Sequence, residues 1–231
     1  MVLGNLLFLN RGTVMKSILL ILILCVAMGG RSVGQTGGDS AFDISRFTVI
    51  PEKYHVSERK SLFREVNPAV KYDYWELHYV KFLDPTGDEV LFYKGDSIKY
   101  HPVAVRHIDK TKTGFFKECA PMICYSYIIA VKGDSVETIG DEAGLIRFIG
   151  PIDNMEELVL NIKAHHFGFD NQDKRGGAYF EKKDEYLLYL LEYKQCPVTY
   201  SSVRAVLSKT GELRVLGKEI YKEDKNTCIM N

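Results

Sequence analysis

Alternation of apolar and polar residues is the strongest pattern in this chain, and it predicts β-strands. The run over residues 72–82 alternates and is rich in aromatic side chains, which is typical of a strand with one face on a core. One face carries Trp75, Leu77 and Tyr79, and the other carries Glu76 and His78. After a turn at 84–88, further strands are predicted at residues 89–93, 178–181, 185–193, 203–208 and 212–216, the last two joined by a turn at 209–211.

A short repeat within the chain predicts two hairpins. Residues 91–100 and 129–138 each contain an apolar run, then Lys-Gly-Asp-Ser, then a β-branched residue. A glycine-containing turn after an apolar run is typical of a β-hairpin, so we expect one turn at each copy of the tetrapeptide.

The middle of the chain changes to a helical period. Residues 138–149 predict a short helix with Thr138 as its N-cap, ended by Gly150. A second helix is predicted from Asn154 to His166, capped by Asp153 or Asn154 and closed by Gly168. Its apolar stripe consists of Met155, Leu158, Val159 and Ile162. Strands, then two short helices, then strands indicate an α+β fold with a mostly antiparallel sheet.

The N-terminal region has the pattern of an export signal. An apolar run follows Lys16 and is shorter than the roughly 20 residues that a membrane-spanning helix needs, and small residues precede a predicted cleavage site at Gln35. We therefore expect a signal segment over residues 1–34, a flexible leader over 35–41 and an α+β domain over 42–231, with two lobes meeting near 110–118 as an alternative. The mature chain is expected to be periplasmic or secreted, without a transmembrane span. Lipid anchoring through Cys25 is disfavoured, because Leu24 stands where Gly, Ala or Ser is required.

The four cysteines that remain after cleavage are expected to form disulfides in an oxidising compartment. Three connectivities are open, and we favour Cys119 with Cys124 and Cys196 with Cys228. By the loop-entropy estimate, the second bridge contributes roughly 3–4 kcal/mol to stability. A four-thiolate zinc site is disfavoured, because the paired C-x2-C spacing of such sites is missing.

Composition and charge exclude two broad classes. With 46% hydrophobic and 26% charged residues, the chain does not have the signature of a disordered protein. The first 34 residues contain three basic and no acidic side chains, so the mature chain has 27 basic and 30 acidic ones. This small negative balance argues against a nucleic-acid partner, which requires a basic surface.

Three short motifs carry a resemblance to known proteins. They are the segment from Leu145 to Glu157 with the pattern L-x-x-F-I-G-P-I-D-N-M-E-E, the segment K-E-C-A-P-x-x-C ending at Cys124, and Q-C-P-V starting at Gln195. Over roughly residues 118–228 the chain resembles exported proteins of Bacteroidota-type bacteria that have no known activity. The resemblance implies export and shared cysteines, and it brings no catalytic residue with it.

Candidate chemistry is sparse. The chain has no G-x-S-x-G elbow, no H-E-x-x-H pair and no phosphate-binding glycine loop, so the catalytic residues are unknown and no cofactor or metal is expected. Two groupings contain residue types suited to general acid–base catalysis: Glu76 with His78, and Asp141 and Glu142 with His107. A polar helix stripe of Glu157, Asn161 and His165 is predicted to face water, and the acidic run 170–173 lacks the spacing of a calcium loop.

These observations favour an exported binding or envelope-associated interaction protein, whose partner is an unknown protein or envelope component. The alternatives are a small secreted hydrolase that uses His and carboxylates, and a protease inhibitor or immunity-type protein that presents the Cys119–Cys124 loop. A deep pocket at His78 or His107 would favour the hydrolase. An open sheet edge or a protruding disulfide loop would favour binding or inhibition.

Overall fold

The computed structural model describes residues 40–54, 59–81, 88–106, 113–118 and 124–229. The signal segment and nearly all of the predicted leader lie outside these ranges, so export stays a prediction. Residues Phe42–Asn231 cluster as one compact unit.

Two antiparallel sheets contain the described strands. One sheet has the order β1-β7-β8-β9-β10, with β1 Thr48–Val49, β7 Gly177–Glu181, β8 Glu185–Gln195, β9 Val198–Ser208 and β10 Leu213–Asp224. The other has the order β3-β2-β5-β4, with β3 Asp88–Gly95, β2 Tyr74–Lys81, β5 Cys124–Lys132 and β4 Phe115–Glu118, and β6 Ser135–Ile139 also pairs with β5. Together with the helices, these sheets confirm the predicted α+β class.

Four α-helices are described, and two of them were predicted. They are α1 Arg59–Arg64, α2 Ser97–Arg106, α3 Glu142–Ile149 and α4 Met155–Ala164. Helices α1 and α2 were not predicted; Pro102 lies inside α2, and an internal proline argues against a helix in a sequence pattern. None of the described helices is long and apolar enough to cross a membrane.

The ends of the predicted helices required corrections. Thr138 belongs to β6, and Asp141 is the N-cap of α3, since its carboxylate accepts a hydrogen bond from the Gly144 amide at 2.6 Å. The N-cap of α4 is Asn154, as one of the two predicted options. Helix α4 ends before Gly168, because His166 adopts the left-handed conformation that ends a helix, at φ 63°.

The two copies of Lys-Gly-Asp-Ser have different structures. The second copy forms the predicted hairpin between β5 and β6. In the first copy, β3 ends at Gly95 and α2 begins, with the Asp96 carboxylate accepting a hydrogen bond from the Lys99 amide at 3.1 Å. The hairpin predicted there is wrong, because Asp96 caps a helix that packs Ala104 against the buried face of β5.

One hydrophobic core draws its side chains from both sheets and from α3 and α4. It includes Trp75 and Leu77 of β2, Ile128 of β5, and Leu188 and Leu190 of β8. Helix α4 is buried nearly all round, including Leu158 and Ile162 as predicted. A helix with this much buried surface belongs to the interior of a domain.

The polar stripe of α4 does not face water, so that part of the prediction was wrong. Glu157 and Asn161 are fully buried. The Glu157 carboxylate accepts hydrogen bonds from the amides of Asn67 at 2.9 Å and Asp153 at 2.7 Å, which joins the chain before β2 to the start of α4. The His165 ring pairs with the carbonyl oxygen of Gly211 at 2.9 Å. Glu157 and His165 therefore hold loops in place, whereas the Asn161 amide donates to the Glu157 carbonyl oxygen within α4.

A disulfide joins Cys196, in the turn after β8, to Cys228 near the C-terminus, with their Cα atoms 4.3 Å apart. This agrees with the favoured pairing. Cys124 is also disulfide-bonded. Its expected partner Cys119 lies outside the described residues, so the pairing of those two residues stays a prediction.

We expect Leu158→Ala to lower the free energy of unfolding by about 2–5 kcal/mol, because the substitution leaves a cavity in the shared core. The matched control is Ile98→Ala, at a helix position that is 91% exposed, with an expected change within about 0.5 kcal/mol. Urea denaturation of both variants measures the difference. Equal effects would contradict the placement of α4 inside the core.

Candidate functional site

A network of buried charged and polar side chains lies on the face of β2 opposite the main core. Glu76 and His78 project from this face, as the alternation predicted, and their side chains are 0% and 1% exposed. The Glu76 Oε1 and His78 Nε2 atoms are 2.8 Å apart. Ionisable groups this deeply buried require partners, and neighbouring strands provide them.

The second nitrogen of His78 is also engaged. Its Nδ1 atom lies 2.8 Å from Oδ1 of Asp88, the first residue of β3. The other Asp88 oxygen accepts a hydrogen bond from the Tyr127 hydroxyl of β5, and the Tyr127 ring stacks on the imidazole with 4.5 Å between centroids. His78 therefore has a carboxylate on each nitrogen and an aromatic ring on one face.

The second oxygen of Glu76 connects the sheet to α2. It accepts a hydrogen bond from the Tyr74 hydroxyl at 2.5 Å and one from Nδ1 of His101 at 2.7 Å. Since a carboxylate can only accept, Nδ1 of His101 carries the hydrogen. The side chain of His101 is 44% exposed, so it links the buried network to the surface. No sequence signal indicated His101 or Tyr127, because their proximity depends on the unpredicted helix and on strand pairing.

The network determines the charge state of its members. Burial by itself lowers the pKa of His78, but hydrogen bonds to Asp88 and Glu76 outweigh burial and raise this pKa to about 9. For Glu76, burial raises the pKa, but donors from His78, Tyr74 and His101 outweigh it and hold the pKa below its usual value. Burial and then the nearby carboxylates raise the pKa of both Tyr74 and Tyr127. At neutral pH an imidazolium therefore lies between two carboxylates.

This arrangement is suited to holding elements together. Because both nitrogens of His78 are bound to carboxylates, His78 has no free lone pair to act as a base. The Nε2 atom of His101 is not part of the network, whereas both ring nitrogens of His78 are. The network joins β2, β3, β5 and α2, and so fixes where the edge strand β3 lies.

The stability of the protein should fall as pH rises from about 6.5 to 9. The pKa of His78 is raised above its unfolded value near 6.5, so its contribution is complete below that pH and is lost as pH rises through about 9. We expect the free energy of unfolding to decrease by about 2–3 kcal/mol over this interval. Denaturation at several pH values measures it, and His78→Gln should flatten the dependence. A wild-type profile as flat as that of the variant would disprove the buried imidazolium.

A cavity of about 1280 Å³ lies on the opposite face of β2. Its lining includes five basic side chains, Arg59, Lys60, Lys81, Lys117 and Lys163. Only two acidic side chains, Glu89 and Glu142, line it within the described residues. We call it the cationic cavity. Tyr79, Phe116 and Phe167 add aromatic surface.

Several contacts hold this cavity in shape. The Arg59 guanidinium donates to Ser126 Oγ at 3.1 Å and lies over the Tyr79 ring at 4.3 Å. The Lys81 Nζ and Glu89 Oε2 atoms are 3.8 Å apart, which offsets one positive charge. Among the described residues, Lys60 and Lys117 form no ion pair. Their charges are therefore available to an incoming anion.

Unusual backbone conformations occur at this cavity. The two non-glycine residues with positive φ in the described ranges are Phe116, at 54°, and His166, at 63°. Both residues line the cationic cavity. A positive φ is uncommon outside glycine and tends to cluster at functional sites. For His166 a structural cause also exists, since the amides of His166 and Phe167 bond to carbonyls of the last turn of α4.

The other candidates from the sequence do not assemble into a site. His107 lies outside the described residues, and Asp141 caps α3. Asp170 accepts a hydrogen bond from the Tyr221 hydroxyl at 2.7 Å and others from its own loop. Within the described ranges, no group of three or more His, Cys, Asp or Glu side chains is arranged to hold a metal.

No protein-family model, curated protein or solved structure matches this chain. The resemblance to exported bacterial proteins therefore stays a prediction.

We expect His166→Gly to raise the free energy of unfolding by about 0.5–1 kcal/mol, because glycine adopts the left-handed conformation without strain. His166→Ala is the control, since it removes the same imidazole but keeps the unfavourable backbone, and it should give no such gain. Thermal and chemical denaturation measure both variants. If Gly and Ala behave alike, backbone conformation does not determine the residue at this position.

Proposed function

We propose that this protein is an exported binding protein whose cationic cavity takes an anionic ligand. The observation that carries the proposal is the excess of basic side chains in the cavity. The expected mature chain has more acidic than basic residues, whereas five basic and two acidic described side chains line this cavity. A cleft lined by one sign of charge focuses the field and raises the local concentration of the opposite charge.

The size of the cavity supports a ligand larger than a single ion. Its volume of about 1280 Å³ exceeds the usual range of about 300–1,000 Å³ for small-molecule pockets. Lys60 and Lys117, which form no ion pair with the described residues, lie beside aromatic surface, and this favours an extended anion with apolar parts. An unknown protein or envelope component remains the proposed class of partner.

The alternatives receive less support. A hydrolase based on His78 would need a free ring nitrogen in a pocket, whereas both nitrogens of His78 are bound to carboxylates. An inhibitor would present the Cys119–Cys124 loop, most of which lies outside the described residues. The binding hypothesis agrees with the open cavity and with the exposed sheet edge described below.

Reversing one charge in the cavity tests the proposal. The probes are fluorescent polyglutamate, a sulfated oligosaccharide and polylysine, followed by anisotropy at low salt and at about 0.15 M salt. We expect an anionic probe to bind, polylysine not to bind, and Lys117→Glu to weaken anion binding about tenfold.

The matched control is Lys132→Glu, which makes the same charge change at an exposed position next to the β5–β6 turn, at the far end of the sheet. Its effect on affinity should stay within about twofold, because salt screens an exposed charge at the far end of the sheet from a ligand in the cavity. If neither anionic probe binds, or if both variants weaken binding equally, the cationic cavity is not the binding site.

A further inference from the structure

The two long edge strands among the described residues differ in how they are protected. Strand β10 ends one sheet, and six of its twelve residues are charged: Arg214, Lys218, Glu219, Lys222, Glu223 and Asp224. Strand β3 ends the other sheet, and its central residues Val90–Tyr93 carry no charge. Charged side chains are a usual means of preventing a sheet edge from pairing with another strand. The middle of β3 lacks this protection.

The outer edge of β3 makes no backbone hydrogen bond to another described strand, although helix α1 also contacts β3. In the described part of the chain, residues Val90–Tyr93 make no backbone hydrogen bond beyond their ladder with β2. One bulge, at Leu91, interrupts this ladder. An edge strand leaves alternate amides and carbonyls unpaired, and these can bind an added strand.

Cavities lie on both faces of the sheet along this same edge. The cationic cavity lies on the face of Tyr79 and Glu89, which are paired across β2 and β3. A second cavity of about 700 Å³ lies on the face of Tyr74 and Tyr93. Both cavities share Lys60, Val90 and Leu91 in their lining. The open edge of β3 therefore separates two cavities of different chemistry.

The second cavity presents apolar surface. Tyr93 is 53% exposed and Ile98 is 91% exposed beside it, and Val90 also lines it. Its polar side includes His101, which the buried Glu76 holds in place. Exposed apolar residues grouped in this way mark interaction sites more often than residues exposed singly.

We propose that an extended polypeptide adds to the edge of β3, with acidic side chains in the cationic cavity and apolar side chains in the second cavity. This deepens the proposed function, because it rests on the same cationic cavity. Successive side chains of a strand point to opposite faces of a sheet, so one added strand fills both cavities with alternate residues. In such recognition, backbone hydrogen bonds supply affinity and the pockets supply specificity.

The test compares peptides of equal composition and charge. A peptide of about eight residues, matching the eight residues of β3, alternates Glu and Val, and a control carries the same residues in two blocks. We expect the alternating peptide to bind about tenfold more tightly, because only alternation directs all its acidic side chains to the cationic cavity and all its apolar side chains to the second cavity. N-methylation of alternate amides in the alternating peptide should remove that gain. Hydrogen exchange should slow at Val90–Tyr93 on binding.

Protein variants locate the contact. Ile98→Asp should weaken the alternating peptide about fivefold through the second cavity, with little change for polyglutamate. The matched control is Ile220→Asp, the same substitution at an exposed residue of β10, the other sheet edge. It should leave peptide affinity unchanged.

The outcomes separate this inference from the proposed function. Equal binding of the alternating and block peptides, with Lys117→Glu weakening both, would overturn β-strand addition and leave the anion site intact. Tighter binding of a sulfated oligosaccharide or of single-stranded DNA than of any peptide would also overturn the polypeptide proposal. If no anion binds at all, the cationic cavity itself is not a binding site and both proposals fail.

Discussion

The fold depends on one constraint, which is that both faces of β2 are buried. Its apolar face contributes Trp75 and Leu77 to the core shared by the two sheets. Its other face carries Glu76 and His78, whose burial would be strongly unfavourable without compensating partners. The required partners come from β3, β5 and α2, so the charges on one strand determine how three other elements are placed.

Pairing these buried charges also shapes the surface. Asp88 anchors the start of β3 to His78, and His101 anchors α2 to Glu76. With both elements held, the middle of β3 stays at the edge of its sheet between two cavities. A buried ion cluster is weak evidence for net stability, but removing one partner leaves an uncompensated charge. Changes within the network should therefore disturb the binding surface as well as the fold.

Local sequence patterns predicted a helix, strand or turn correctly where the pattern is compatible with a single structure. The alternation in β2, a cap of α4 at Asp153 or Asn154, and the last hairpin were all predicted from residues close in sequence, and the structure selects Asn154 as the cap. The repeated Lys-Gly-Asp-Ser shows where prediction from local patterns fails. Its turn geometry permits either a hairpin or a helix cap, and the choice depends on whether the following residues pack beside β5 as a strand or across it as a helix.

The sequence alone determined the α+β class, most strand positions, the alternation that puts Glu76 beside His78, and the residues that form the core helix. Only the tertiary structure decided that Glu157 and Asn161 of α4 are buried, since the amide of Asn67, ninety residues away in sequence, supplies one partner of the Glu157 carboxylate. It also decided the cationic cavity and the open edge of β3. The cavity is lined by side chains that lie far apart along the chain, and the position of β3 at the edge depends on which strands pair. No local sequence pattern specifies either feature.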